Sequence, residues 1–392
     1  MSHELRDRCA IVGIGNTAYT RGTDRSVTEL HLEASLLALN DAGLRPSDVD
    51  GIVPSSVAER VVEDFTRNLG IKDLAFSSTP HAGGSSYVMG IQEACMAVHA
   101  GVADCVLLPA GRLGYSSMQR ASRVAEHPNP ALTDMIEFEF PLGNVGPAMW
   151  FAQQARRHMH LYGTTSEQLG RMAVTIRGHA NLNPQALMYA RTLTLEDHQA
   201  SRMIVDPFHL FDCSLETDGA GAIVVTSADR AKDLRQPPVL ITGVGSAYGY
   251  PGTSVTQTEE PSELRGIGHA GRRAFAMAGM GPQDIDVVAM HEGFSFFVIA
   301  CLEALGFCSV GEGGPLVASE DIALGGRLPL NTHGGALSEA HVSGANHVIE
   351  IVRQLRRSVE QARQVEGCQI GMVANEGNFD NCLLYTSDAA DE

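Results

Sequence analysis

Short unbroken apolar runs, the mark of strands buried on both faces, alternate along this chain with longer stretches whose apolar residues recur at helical spacing. Ala10-Ile-Val-Gly-Ile-Gly15 predicts a strand ending in a Gly-x-Gly turn; a helical run follows over His31–Leu39, and Gly51-Ile52-Val53 opens the next strand. The same order returns with Val239-Leu-Ile-Thr-Gly-Val-Gly245, an alanine-rich helical run, and Val287-Val288-Ala289. The copies agree in detail. Ala38–Asp50 (ALNDAGLRPSDVD) and Ala274–Asp286 (AFAMAGMGPQDID) both end a helix at Ala-Gly, turn on Pro46 or Pro282, and place an acidic pair, Asp48/Asp50 or Asp284/Asp286, before the strand. Two copies make a duplicated half-domain with a pseudo-twofold axis; a solenoid would show more.

Alternating helix and strand imply a layered α/β molecule. Ala94–Ala110 reads as the end of an apolar helix, a stop at Gly101 and a buried strand. From about 111 to 202 the chain becomes rich in Met, His, Arg and Pro, with helical stretches at Ala148–Met159 and Ser166–Ala180, which predicts a largely helical insert in the first half. Asp218–Thr226 returns to a strand, and Ala228–Pro238 reads as a linker. The expected halves are residues 8–230 and 239–381. Residues 382–392 (CLLYTSDAADE) turn small and acidic where an apolar strand would continue, so they are set aside as a non-native tail.

A chain of 392 residues, 44% hydrophobic, is long enough for two well-buried lobes. Its net charge of −18 is spread along the sequence, which argues against a basic surface for nucleic acid or anionic membranes. No apolar leader follows Met1, and no stretch of about 18 uncharged apolar residues occurs, which predicts a soluble, cytoplasmic protein. The 8 cysteines are scattered without a Cys-x-x-Cys pair, so buried free thiols are expected rather than disulfides or a metal site.

Candidate chemistry concentrates late in the chain. Asn331-Thr-His-Gly-Gly-Ala-Leu-Ser-Glu-Ala-His341-Val-Ser-Gly344 combines glycines that let the backbone approach a ligand with two imidazoles, His333 and His341. Imidazole titrates near neutral pH and can donate a hydrogen bond to a developing enolate or alkoxide. A lone histidine is as a rule a satisfied structural side chain. Here, however, His291-Glu292-Gly293-Phe294 directly follows the repeated strand, where α/β folds gather ligand-binding groups.

Together these segments resemble the thiolase superfamily. In that family a strand ends in Asn-Glu-Ala-Phe or His-Glu/Asp-x-Phe, matched by His291–Phe294, and a later glycine-rich segment carries the catalytic histidine, matched by Asn331, Gly334, Gly335, His341 and Gly344. The resemblance covers residues 8–381 and implies two αβαβα halves with a helical loop insertion in the first. It also exposes a departure. The family's nucleophilic cysteine opens the helix preceding Gly101-Val-Ala-Asp104, where the helix N-terminus favours a thiolate; that position falls near Gly84, and no cysteine lies within ten residues of it. Asn375-Glu376-Gly377-Asn378 stands where biosynthetic members carry a second cysteine.

Several side chains are left with two readings each. Ser85 or Ser86 replaces the nucleophile or caps the helix; Glu376 is an acid–base group or a solvated carboxylate; His333 lines the pocket or orients the glycine turn. Tyr87, Tyr115 and His81 are further pocket candidates. Gly83-Gly84-Ser85-Ser86 and Asp212-Cys-Ser-Leu-Glu-Thr-Asp218-Gly resemble the cysteine-less, sterol-carrier-type and lipid-transfer branch, which is related to steroid side-chain aldolases. That resemblance implies an acyl-CoA thioester as substrate, no bound cofactor, a homodimer, and a small OB-fold, zinc-ribbon companion. It further implies retro-aldol chemistry in which His291 and His341, with or without Glu376, handle the proton and stabilise the enolate.

Two other classes compete. A non-catalytic acyl-CoA or lipid carrier, or a scaffold for the companion, would tolerate loss of His341. A dinucleotide-dependent oxidoreductase would use Gly13-x-Gly15-x-x-Ala18, but the acidic residue at the right spacing, Glu33, sits inside a helical run.

Overall fold

The computed structural model describes residues 4–54, 62–80, 82–119, 137, 139–144, 146–248, 260, 262–376 and 380–388. Its strands in chain order are β1 (Cys9–Asn16), β2 (Gly51–Ile52), β3 (Phe76–Ser77), β4 (Cys105–Leu113), β5 (Met203–Val205), β6 (Phe208–His209), β7 (Asp218–Ser227), β8 (Val239–Tyr248), β9 (Val287–Met290), β10 (Ile370–Glu376) and β11 (Asp380–Asp388). One mixed sheet runs β3-β2-β4-β7-β1-β8-β11-β10-β9, and β5–β6 form a separate hairpin.

The duplication is visible in the pairing. In the first half β2 lies parallel to β4, β4 antiparallel to β7, and β7 antiparallel to β1. In the second, β9 lies parallel to β10, β10 antiparallel to β11, and β11 antiparallel to β8. The halves meet where β1 pairs with β8 at Ala10–Leu240 and Ile11–Val239. Residues 382–388, set aside on sequence grounds as tail, run within β11, which is the twofold counterpart of β7. Main-chain pairing with β8 and β10 draws this segment into the sheet, and its Cys382-Leu-Leu-Tyr-Thr386 stretch is apolar enough for a strand before the chain turns small and acidic.

The repeated acidic residues do the same work twice. Asp48 and Asp284 each accept the backbone N–H that opens a Pro-led turn, from Arg45 and Gly281, both at 2.8 Å. Asp50 accepts the backbone N–H groups of Asp104 and Cys105 at the start of β4, and Asp286 those of Gln369 and Ile370 at the start of β10. Each pair thus fixes the register between one strand and its parallel neighbour.

The Gly-x-Gly signals are not turns. Gly13 and Gly15 lie inside β1, and Gly243 and Gly245 inside β8. They let a helix lie against the strand. A Cβ on Gly15 would stand 2.4 Å from the Ala38 nitrogen, and one on Gly245 2.1 Å from the Ala270 oxygen. The helices concerned, Val27–Ala42 and Arg265–Ala278, form the outer layers, each with a capping glycine, Gly43 or Gly279, in the left-handed region. With β1 antiparallel to both its neighbours, the crevice of a dinucleotide fold is not built here.

Two further helices, Ser86–His99 and Ala345–Leu355, lie between the halves. Val88 and Ile91 of one share a core with Ile349 and Val352 of the other and with strand residues of both halves. The insert follows β4 and carries the helices Pro147–Tyr162, Ser166–Ala180 and Leu195–Ala200. It extends past the expected end at 202 through the β5–β6 hairpin. Among the described residues no helix is long and apolar enough to cross a membrane.

Gly245→Ala should cost about 1–3 kcal/mol by overpacking, because its new methyl would meet main chain rather than a movable side chain. Gly178→Ala, which meets nothing within 4 Å, should leave stability unchanged or slightly improved. Urea midpoints of the two variants against the parent check this.

Candidate active site

The site is built at the end of β9. Asn331, with φ 50°, acts as a side-chain clamp on this strand: its Oδ1 accepts the Met290 N–H at 2.7 Å, and its Nδ2 donates to the Met290 carbonyl at 2.8 Å. The next residue, His291, is held by its own N–H, which donates to the Ala374 carbonyl of β10 at 2.9 Å. Glu292 then points into the interior and is fully buried. Gly334 and Gly335 open a wide helical turn, Gly335–Glu339, that wraps this carboxyl. A Cβ on Gly335 would lie 1.7 Å from Glu292 Oε1, and the Leu337 N–H donates to that oxygen at 3.3 Å.

His347, on the central helix Ala345–Leu355, completes the buried layer, with Nε2 2.9 Å from Glu292 Oε2. Its proton can be located. Asn346 uses Nδ2 on Glu339 and the Ala340 carbonyl, so its Oδ1 accepts from His347 Nδ1 at 3.2 Å. The Nδ1–H tautomer leaves Nε2 as an acceptor, and Glu292 must then hold the proton of the pair. The electrostatics agree: burial pushes Glu292 up to about 8 and His347 down to about 3. The pair is therefore neutral at physiological pH. Glu339, pushed up to about 7 by burial, accepts from Asn183 and Asn346 beside it.

His341 lies on the other side of His291. Its backbone is fixed by Thr217, whose hydroxyl accepts the His341 N–H at 3.0 Å and donates to the His341 carbonyl at 3.1 Å. The His291 ring stands between two others, 5.0 Å from that of His341 and 5.6 Å from that of His347. Arg112, at the end of β4, puts Nη1 2.9 Å from His341 Nδ1, and its Nη2 donates to Glu216 at 2.7 Å. Burial, then the Arg112 guanidinium, hold His341 well below the ordinary histidine range.

The start of the helix Ser86–His99 joins through Asn375, the penultimate residue of β10. Asn375 Nδ2 donates to the Gly84 carbonyl at 3.3 Å, and its own carbonyl accepts from Ser85 Oγ at 2.9 Å. Gly344, with φ 82°, passes so close to Asn375 that a Cβ there would lie 2.1 Å from Nδ2. Gly84, Ser85, Gly344, His291 and His341 are thereby gathered around the end of β10. Ser86 Oγ accepts from the Ala82 N–H and donates to the Gly83 carbonyl, so both serine hydroxyls serve the backbone. Glu376 ends β10, but its side chain lies outside the described residues, as do His81, Gly377 and Asn378.

His333 is buried behind the site, its ring 4.8 Å from that of His347 and Nε2 3.8 Å from Glu339. Tyr87 is buried with its hydroxyl on the Leu108 carbonyl at 3.1 Å, and Tyr115 stacks under Arg21. Neither Cys95 nor Cys213 offers a poised thiolate. Cys95 is buried within its helix and raised well above its ordinary value, and Cys213 is pushed up to about 12 by burial beside Asp212. Among the described residues no group of three His, Cys, Asp or Glu could hold a metal ion.

Reading the sequence did not single out His347 or Arg112, and it met Glu216, Thr217 and Asn375 only inside longer segments, with no role assigned to them. Signals existed for two of them. Arg112 interrupts an otherwise apolar strand, and Asn346-His347 opens a helix whose remaining inward residues are mostly apolar.

Residues 212–382 match the family described as thiolase C-terminal domain-like. Over 92% of its length the chain is 42% identical to a steroid side-chain-cleaving aldolase of Thermomonospora curvata, covering 94% of that protein. The chain belongs to the thiolase superfamily. Within it, the chain is also 42% identical to a 17-hydroxy-3-oxo-4-pregnene-20-carboxyl-CoA lyase of Mycobacterium tuberculosis, over 90% of this chain and 92% of the relative. Its fold follows that of a solved structure described as an Ltp2-ChsH2(DUF35) aldolase, with TM-score 0.91, 37% identity, and 99% and 100% of the two chains covered. This thiolase-superfamily member is an enzyme of the aldolase and lyase type.

A carboxyl whose folded value is raised contributes stability that is fully present below its unfolded value and lost as pH rises through the folded one. Glu292 is raised from 4.5 to about 8. The stability advantage of the parent over Glu292→Gln should therefore shrink as pH rises from about 4.5 to about 8 and stay flat above. Denaturation midpoints of both proteins at pH 5, 7 and 9 measure it; a constant difference would contradict the neutral pair.

Proposed function

We propose that the enzyme cleaves, or in reverse forms, the carbon–carbon bond between the α and β carbons of a 3-hydroxyacyl-CoA thioester whose β carbon belongs to a steroid ring. The observation that carries this reading is the juxtaposition of His291 and His341, rings 5.0 Å apart, at a helix start that has glycine and serine in place of cysteine. The step is a retro-aldol reaction. A base takes the β-hydroxyl proton, the O–H electrons form the ketone, the Cα–Cβ bond breaks, and its electron pair enters the thioester enolate. The enolate then takes a proton at Cα and leaves as a shorter acyl-CoA. No acyl-cysteine, free CoA or redox partner is needed.

The chain's own groups suit these steps. One imidazole of the pair accepts the hydroxyl proton and the other donates to the enolate oxygen, each contribution being typically about 10²–10⁴-fold. Glu376, at the end of β10, is a third acid–base candidate, and the Gly334–Gly335 turn, Gly344 and Gly84 shape the surrounding backbone. The reading includes a homodimer, a cytoplasmic location and a small OB-fold, zinc-ribbon companion; the Ltp2 aldolase structure carries a second component, ChsH2(DUF35), in its description.

With 17-hydroxy-3-oxo-4-pregnene-20-carboxyl-CoA as substrate, His291→Ala and His341→Ala should each lower kcat by about 10²–10⁴-fold while leaving thioester binding largely in place. The assay is run with and without a co-encoded companion. An unchanged rate in either variant would overturn the reading, and tight binding without turnover in the parent would identify a carrier.

A further inference from the structure

The two imidazoles of the site sit in opposite electrostatic surroundings. Arg112 Nη1 lies 2.9 Å from His341 Nδ1 and 3.3 Å from Nε2, so a permanent cation touches both ring nitrogens. Glu216 binds the far side of the guanidinium through Nη2, and a Cβ on Gly114 would stand 2.8 Å from Arg112 Nε and Glu216 Oε2 alike, which shows how closely the pair is seated. Ser214 Oγ is 3.3 Å from the same Nδ1, and Thr217 fixes the backbone. Among the described residues, the titratable groups that face His341 are Arg112 from β4, Glu216 through Arg112, His291 from the end of β9, and His347 from the central helix. None of them brings a negative charge into direct contact with its ring. His291, by contrast, faces His347 and, behind it, the carboxyl of Glu292.

We propose that Arg112, seated by Glu216, is a positioning residue that keeps His341 uncharged. His341 then serves the reaction as hydrogen-bond donor to the enolate oxygen, and the hydroxyl proton goes to His291. An imidazolium at His341 would stand against a guanidinium in a half-buried site, whereas the His291 ring faces the neutral Glu292–His347 pair. The guanidinium thus divides the labour of an otherwise similar pair. The assignment of roles rests on the retro-aldol reading; the effect on His341 does not.

The experiment separates the two. In the free protein labelled with ¹⁵N-histidine, the His341 resonance, identified by its loss in His341→Gln, should stay neutral through the range where an ordinary imidazole titrates. In Arg112→Gln its titration should move up toward that range, with burial still holding it below the ordinary value, and Arg112→Lys should restore the parent behaviour. Glu216→Gln, which removes the counter-charge, should drive protonation still lower and serves as the second probe if Arg112→Gln does not fold. In parallel, the acid limb of kcat/KM should move up in Arg112→Gln alone, each pH unit below the new titration costing about tenfold. A His341 that titrates normally in the parent, or titrations that do not move in Arg112→Gln, would overturn the proposal. So would an upward shift in Glu216→Gln. Shifted titrations with no turnover in any variant would leave the proposal intact and count against the retro-aldol reading instead.

Discussion

The helices Ser86–His99 and Ala345–Leu355 are buried between the halves, and the site hangs from that layer. Side chains such as Tyr87, Ile91, Ile349 and Val352 are almost wholly removed from water, each worth about 1.5–3 kcal/mol of transfer free energy. Because both helices pack into a core shared with strands of both halves, neither can shift without opening it. Their N-terminal ends converge on the end of β10: Gly84 and Ser85 precede one, His341 and Gly344 the other, and Asn375 touches both approaches. The duplication therefore does more than double the fold. It aims two helix starts at one place.

The second constraint is burial of polar groups. Glu292, His347, Glu339, Asn183 and Asn346 form an interior network in which donors and acceptors are matched and the Glu292–His347 pair is neutral. Burying charge here would be costly, and the raised carboxyls and lowered imidazole are the chain's answer. That layer backs His291 with a proton-bearing carboxyl, while Arg112 backs His341 with a cation. Two like side chains at 5.0 Å are thus made chemically unlike.

Much of this was legible in the sequence. The repeat of Ala38–Asp50 in Ala274–Asp286 revealed the twofold organisation because each position does physical work, as a glycine cap, a proline turn, or aspartates on strand-opening N–H groups. The Gly-x-Gly pairs were visible but misread. A glycine that admits a helix backbone beside a strand looks, in sequence, like one that makes a turn. β11 was hidden because its apolar Cys382–Thr386 stretch runs straight into small and acidic residues, and its place is set by pairing with β8 and β10. His291 and His341 were legible because each adjoins glycine or a strand end. His347 and Arg112 were not, because a histidine inside a helix and an arginine ending a strand acquire meaning only when folding brings Glu292 and His341 to them.

The central claim is cleavage by a retro-aldol step without an acyl-cysteine. Its most direct measurement is mass spectrometry of the products from a 17-hydroxy-steroid side-chain CoA ester, incubated in D2O with no free CoA. A retro-aldol step should yield a 17-ketosteroid and a shorter acyl-CoA carrying one deuterium at its α carbon, with no CoA consumed. Cleavage that occurs only when CoA is supplied, with acyl transfer to that CoA, would contradict it.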